Sequence, residues 1–195
     1  MLVLMPPYLA RADETADPHA AHRAMMSTTA TPLKTSSIHY RIPAISMIRQ
    51  DGKRVLLPAE LDDGRPIVLN FIYTTCTTIC PLSSHVLSEL QSKLGDDASK
   101  AHFVSISIDP EQDTPARLTA YASTHHAGPQ WTHYTGAVEA SVALQRAFDV
   151  YRGDKMAHFA VTFLRRTPGD PWLRVEGFAT SDELLRDYRR LVDAG

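Results

Sequence analysis

The sequence predicts an α/β fold in which a central mixed sheet is flanked by helices, and three observations carry that prediction. Two nearly continuous apolar runs, "RPIVLNFIYTT" and "HFVSISID", are too short for full-length helices and suit strands buried on both faces of a sheet. The first is followed by apolar residues at helical spacing, the second by a segment with a helix cap and a first-turn proline. A final pair of apolar runs separated by the turn "TPGDP" reads as a hairpin leading into a last helix.

In chain order, "MLVLMPPYLARADE" reads as the tail of an export signal, with Ala10-Arg11-Ala12 as an A-x-A cleavage site and no basic start ahead of it. Residues 1–37 are read as this residual signal followed by a flexible arm rich in Ala, Thr, Ser and Pro. Within the arm, His19, His22, Met25 and Met26 fall close together, a composition suited to capturing copper. The folded domain is placed at 38–195. It opens with a β-hairpin extension, "ISMIRQDGKRVLLPAEL", in which Asp51-Gly52 supplies the positive backbone angles of a tight turn.

"RPIVLNFIYTT" is the central strand. Leu82, Val86, Leu87, Leu90 and Leu94 then mark a helix stopped by Gly95. "HFVSISID" is a second buried strand, and Thr114-Pro115 caps and opens the helix "PARLTAYASTHH". "WTHYTG" is a short strand, "AVEASVALQRAF" a helix, and "HFAVTFLRR" with "WLRVEGFA" the second hairpin. The capping box Thr180-x-x-Glu183 starts the closing helix. This order of elements is that of a thioredoxin-like sandwich.

Composition narrows the function. With 20 basic and 22 acidic side chains and no long block of one sign, the chain has no electrostatic footprint for nucleic acid. Two cysteines in 195 residues are too few for a disulfide scaffold. The pair is therefore read as redox-active or metal-binding.

Cys76 and Cys80 flank the junction between the central strand and the helix after it, so both sulfurs share one face near free helix amides. The positive end of the helix dipole lowers thiol pKa there. Two thiolates held together take up a proton, form a disulfide or share a cation, and a soft pair selects Cu(I) or Zn. His158 opens "HFAVTF", beside the central strand, from which its ring can project toward the cysteine turn. No proline lies between Asp154 and Arg166, where thioredoxin-like reductases carry a cis proline, and this favours metal over general dithiol exchange.

The segments "VLNFIYTTCTTICP", "VSISIDPEQDTP" and "KMAHFAVTF" together resemble the Sco/SenC family of thioredoxin-like copper proteins, from about Ile38 to Val192. The resemblance implies one copper, Cu(I) or Cu(II), held by Cys76, Cys80 and His158. It also implies a metallochaperone or thiol reductase for the dinuclear copper centre of cytochrome c oxidase. The implied partners are the oxidase subunit carrying that centre and a further copper chaperone or thiol reductase. The implied location is extracytoplasmic, in the periplasm or on a membrane facing it, although no membrane tether is legible in this sequence. Many relatives carry acidic residues inside the cysteine pair and just before the histidine, where this chain has Thr77, Thr78 and Ala157.

The alternative function is an extracytoplasmic thiol-disulfide reductase with Cys76 attacking and Cys80 resolving. A thiol peroxidase is excluded because Leu69 and Tyr73 stand where its proline and threonine belong. A closed zinc site is disfavoured, since only three good ligands can be named. His85 is expected to face solvent, and His125 and His126 to complement a helix end as positive tips. His39, His102 and His133 have no partner at ligand spacing. Phe71 and Tyr73 are expected to pack, as is Met156, whose thioether is otherwise placed to offer Cu(I) a weak soft contact, and Asp109, Glu111 and Asp113 to cap the next helix and present charge to a partner.

Overall fold

The computed structural model describes residues 33–194. The signal segment and the His19, His22, Met25 and Met26 group lie outside the described residues.

The sheet has eight strands in the order β1-β8-β7-β4-β5-β6-β2-β3. These are β1 (Lys34–Ile38), β2 (Ser46–Arg49), β3 (Arg54–Leu56), β4 (Ile67–Ile72), β5 (His102–Ser107), β6 (Trp131–Thr135), β7 (Val161–Arg165) and β8 (Trp172–Glu176). The helices are α1 (Leu57–Leu61), α2 (Ile79–Leu94), α3 (Pro115–Thr124), α4 (Val138–Ala147) and α5 (Ser181–Asp193). β4, β5 and β6 run parallel, as their helical crossovers require, while β7 pairs antiparallel with β4. All six residues of β4 are buried, consistent with a run apolar except for Asn70, which accepts from Ser105 Oγ, sandwiched between neighbours on both edges.

One face of the sheet buries Leu69, Phe71, Val104, Ile106 and Phe163 beneath α1 and α4. Phe148 is the hub there, with ring centroids 5.0 to 5.5 Å from Phe163, Tyr40, Trp172 and Phe71. The opposite face buries Val68, Phe103, Leu164 and Val175 against Leu87, Leu90 and Leu94 of α2 and Leu184 and Tyr188 of α5. The capping box of α5 closes in both directions: Glu183 N donates to Thr180 Oγ1 at 3.3 Å, and Thr180 N donates to Glu183 Oε2 at 2.8 Å.

Several elements depart from the sequence reading. Lys34–Ile38 forms an edge strand on β8, although residues 34–37 read as arm; its alternation of polar residues hid a strand whose pairing is mostly main chain. The hairpin of β2 and β3 forms around Gly52, at φ +83°, but its second arm ends at Leu56 because Pro58 starts α1. Leu82 is not part of the buried stripe of α2 and is 46% exposed. Ser84 takes the inward place and shares a 2.7 Å hydrogen bond with Tyr121 Oη.

Candidate metal centre

A small third cluster, separate from the two main layers, forms where β4 ends. It gathers Ile72, Tyr73, Cys76, Cys80, Leu118 and Tyr121. The chain leaves β4 in a turn closed by Cys76 N donating to Tyr73 O at 3.1 Å, and α2 begins at Ile79. Both cysteines are free thiols in this structure and both are buried, Cys80 almost wholly.

The N-cap residue of α2, Thr78, makes no side-chain cap. Cys76 Sγ does that work instead, accepting the backbone N–H of Cys80 at 3.3 Å. Burial alone would push the Cys76 thiol up, but the amides of Cys80 and Thr78, with the Cys80 and Tyr73 side chains, outweigh it and bring its pKa down to about 7. Cys80 moves the other way, raised chiefly by burial and further by its neighbour Cys76. The expectation that the helix end lowers both thiols is thus corrected: the first proton leaves the pair from Cys76, because only that sulfur sits over the free amides. Alkylation by iodoacetamide should accordingly label Cys76 first, with a rate that climbs as pH rises through about 7 and levels off above it. A midpoint nearer 9 would contradict the placement.

Asp113 anchors this turn. It is fully buried, with Oδ1 accepting from Thr74 N at 3.1 Å and Thr74 Oγ1 at 2.5 Å, and Oδ2 accepting from Ser107 Oγ at 2.6 Å. The reading of Asp113 as a helix cap or surface charge is therefore corrected. Thr114 caps α3, accepting from Arg117 N. Asp109 is also buried and pairs with Lys155 Nζ at 2.5 Å, tying the loop after β5 to the turn that precedes His158.

His158 follows the 3-10 turn Lys155–Ala157, three residues before β7. Its ring is buried, and Nε2 lies 3.0 Å from Phe71 O near the end of β4. A carbonyl only accepts, so Nε2 carries the hydrogen and Nδ1 keeps a lone pair. Burial lowers the pKa of His158, against a smaller upward pull from the Phe71 carbonyl, so the ring is neutral at pH 7. A neutral imidazole with one nitrogen pinned by a carbonyl is the usual state of a metal-ligating histidine, and Phe71 O here occupies the orienting role for which Ala157 offers no carboxylate.

Tyr73 stands between histidine and cysteines. Its ring centroid is 6.4 Å from that of His158, its hydroxyl donates to Met156 Sδ at 3.7 Å, and burial, with Cys76 close by, raises its pKa. Among the described residues no three His, Cys, Asp or Glu side chains stand within reach of a common ion. Met156 does not pack as expected but is 73% exposed.

Four of the other described histidines have the following surroundings. His85 faces solvent beside Glu89, and His133 is buried and stacked on Trp131. His102 Nδ1 lies 3.2 Å from Asp63. His125 is not a positive tip: burial, with His85 and His126 nearby, lowers its pKa, and it leans on Tyr121 at 4.4 Å.

A thioredoxin-like sheet carrying a cysteine pair at a strand-to-helix turn defines a dithiol protein able to exchange disulfides or bind a soft metal. The chain belongs to the SCO1/SenC family, matching it over residues 43–193. It is similar to the SCO1 protein homolog of Bacillus subtilis, 31% identical over 106 residues that make up 54% of each chain. The chain spans about half the length, or less, of the curated relatives it matches. Among solved structures it is similar to Bradyrhizobium japonicum ScoI with copper bound, at 28% identity and a TM-score of 0.63, over 75% of this chain and 96% of that one. It is also similar to BsSco, a member of the Sco family of cytochrome c oxidase assembly proteins with a disulfide switch, at 25% identity and a TM-score of 0.67, over 82% and 98% of the two chains.

Proposed function

We propose that this protein is a copper metallochaperone that delivers copper to, or prepares, the copper centre of cytochrome c oxidase outside the cytoplasm. Cys76, Cys80 and His158 hold the ion, and copper is cargo, not a resident cofactor. The observation that carries this reading is the state of His158. It is buried, neutral and fixed through Nε2 to Phe71 O near the end of β4, which leaves the Nδ1 lone pair uncommitted to that bond. Its copper-bound relative ScoI supports the choice of ion.

Two sulfurs and one imidazole suit Cu(I), which favours soft ligands and low coordination. The thiolate of Cys76 is available near neutral pH, and Cys80 loses its proton on binding the ion. For His158 to join them, the Tyr73 ring must swing aside or the turn Lys155–Ala157 must shift. Lys155 and Asp109 limit that shift from one side. The family's oxidase client subunit and a second copper chaperone or thiol reductase are the partners this reading assigns. No helix of the described residues is long and apolar enough to cross a membrane.

Anaerobic titration of the reduced protein with Cu(I) tests the reading. One equivalent should bind, and Cys76→Ser should lose it. Binding that persists in the variant would overturn the site.

A second reading, thiol-disulfide reductase, is favoured by the split between the two thiols: a reactive Cys76 beside a buried Cys80 is the arrangement of an attacking and a resolving cysteine. It predicts turnover of a disulfide client without metal and survives the loss of His158.

A further inference from the structure

A cavity of about 410 Å³ opens beside Cys76, walled by Pro81, Arg117, Tyr121, Thr124 and His125. It is distinct from the cleft of similar size in which His158 lies, which is lined by Asp109, Glu111 and Asp154 together with Arg152 and Lys155. No carboxylate lines the Cys76 cavity. Asp113 sits beneath Thr74 with both carboxylate oxygens held by Thr74 and Ser107.

Arg117 is the one permanent cation of the lining, and its placement runs against local preference. It occupies the first turn of α3, three residues after the cap Thr114, where the helix dipole disfavours a positive charge. Among the described residues no carboxylate pairs with it. Nη1 instead donates to Gln112 O at 3.0 Å and to Gln112 Oε1 at 3.2 Å. Those two bonds orient the guanidinium while leaving Nη2 and Nε as donors for a ligand. Cys80, by contrast, is 1% exposed, so a sulfur approaching the pair from this side meets Cys76 first.

We propose that this cavity is the docking groove for a client polypeptide whose cysteine is presented in an extended segment with a carboxylate next to the thiol. Arg117 takes the carboxylate, Pro81 and Tyr121 take the apolar flank, and the client sulfur is set against Cys76. The proposal rests on Cys76 being the residue that meets the client, in copper transfer and in thiol exchange alike. An arginine fork is suited to a carboxylate, and a partner charge of opposite sign mainly speeds encounter.

The test uses two synthetic peptides, each with one cysteine blocked as a mixed disulfide with thionitrobenzoate and flanked either by two glutamates or by two lysines. The Cys76 thiolate attacks the peptide sulfur and expels thionitrobenzoate. Cys80 then attacks Cys76, releasing the peptide thiol and leaving the Cys76–Cys80 disulfide; the protein gives up two electrons and the mixed disulfide gains them. Release of thionitrobenzoate from each peptide by the reduced full chain is followed by absorbance, with rates referred to those of neutral 4,4′-dithiodipyridine. The glutamate peptide should react about fivefold faster than the lysine peptide at low salt, an advantage that shrinks as salt is added. Arg117→Glu should reverse the order, and Arg117→Gln should abolish it. Both changes are at an exposed first-turn position, and Glu there agrees with the dipole. Equal rates for the two peptides, or a preference unchanged in Arg117→Glu, would overturn the proposal. Copper stoichiometry is a separate readout, so the copper reading can stand when the groove fails, and the groove when the copper reading fails.

Discussion

Asp113→Ala is expected to destabilise the protein by about 3 kcal/mol, lowering the melting temperature by roughly 6 to 12 °C for a chain of this size. The residue is fully buried, no cation among the described residues forms an ion pair with it, and its carboxylate accepts from three donors: Thr74 N–H, Thr74 O–H and Ser107 O–H. Alanine strands all three, and the Ser107 hydroxyl is left where water does not reach, which is the costly way to lose a hydrogen bond. Asp113→Asn should lose much less, because the amide oxygen still accepts from Thr74 and the Ser107 hydroxyl can turn to accept from the amide nitrogen. Thr74 is two residues from Cys76, so the same change loosens the turn that holds Cys76 Sγ over the Cys80 amide. The alkylation midpoint of Cys76 should therefore move up in Asp113→Ala and stay near 7 in Asp113→Asn. An alanine variant as stable as the parent, with an unmoved midpoint, would remove Asp113 from the site's support.

His158→Ala is expected to weaken Cu(I) binding by roughly a hundredfold or more, since loss of a mere orienting partner already costs 10- to 100-fold in such sites. The fold should tolerate it. The ring makes one hydrogen bond, to Phe71 O, and losing it costs about 1 kcal/mol, to which a small cavity adds. Oxidation of the Cys76–Cys80 pair should proceed in the variant, because neither sulfur depends on the imidazole. Competition with a chromogenic Cu(I) chelator, run beside a thermal melt, separates loss of a ligand from loss of structure. An affinity unchanged within a factor of three would place His158 outside the ion's coordination.

The sheet was legible where burial leaves a mark on sequence. The run at β4 and the Thr180-x-x-Glu183 box have local causes, an apolar environment on both faces and a pair of unsatisfied amides, that select residue types directly. β1 was not legible, because an edge strand of alternating Lys, Thr and Ser is held by main-chain pairing with β8. The site was half legible. Spacing and the strand-to-helix turn put Cys76 and Cys80 together, yet only coordinates separate the sulfur lying over the amides from the one sunk beneath it. Asp113 escaped for a similar reason: a Pro-flanked acidic loop reads as capping and charge, and nothing local says that Thr74, 39 residues earlier, will be its partner. The role of Arg117 is visible only once the cavity beside Cys76 is formed.

X-ray absorption at the copper edge of the Cu(I)-loaded, reduced protein tests the three-ligand centre most directly, with His158→Ala measured alongside. The coordination shell should contain two sulfurs and one nitrogen, and the nitrogen with its imidazole scattering should vanish in the variant. A shell of sulfur alone in the parent protein, or a nitrogen that persists after His158 is removed, would contradict it.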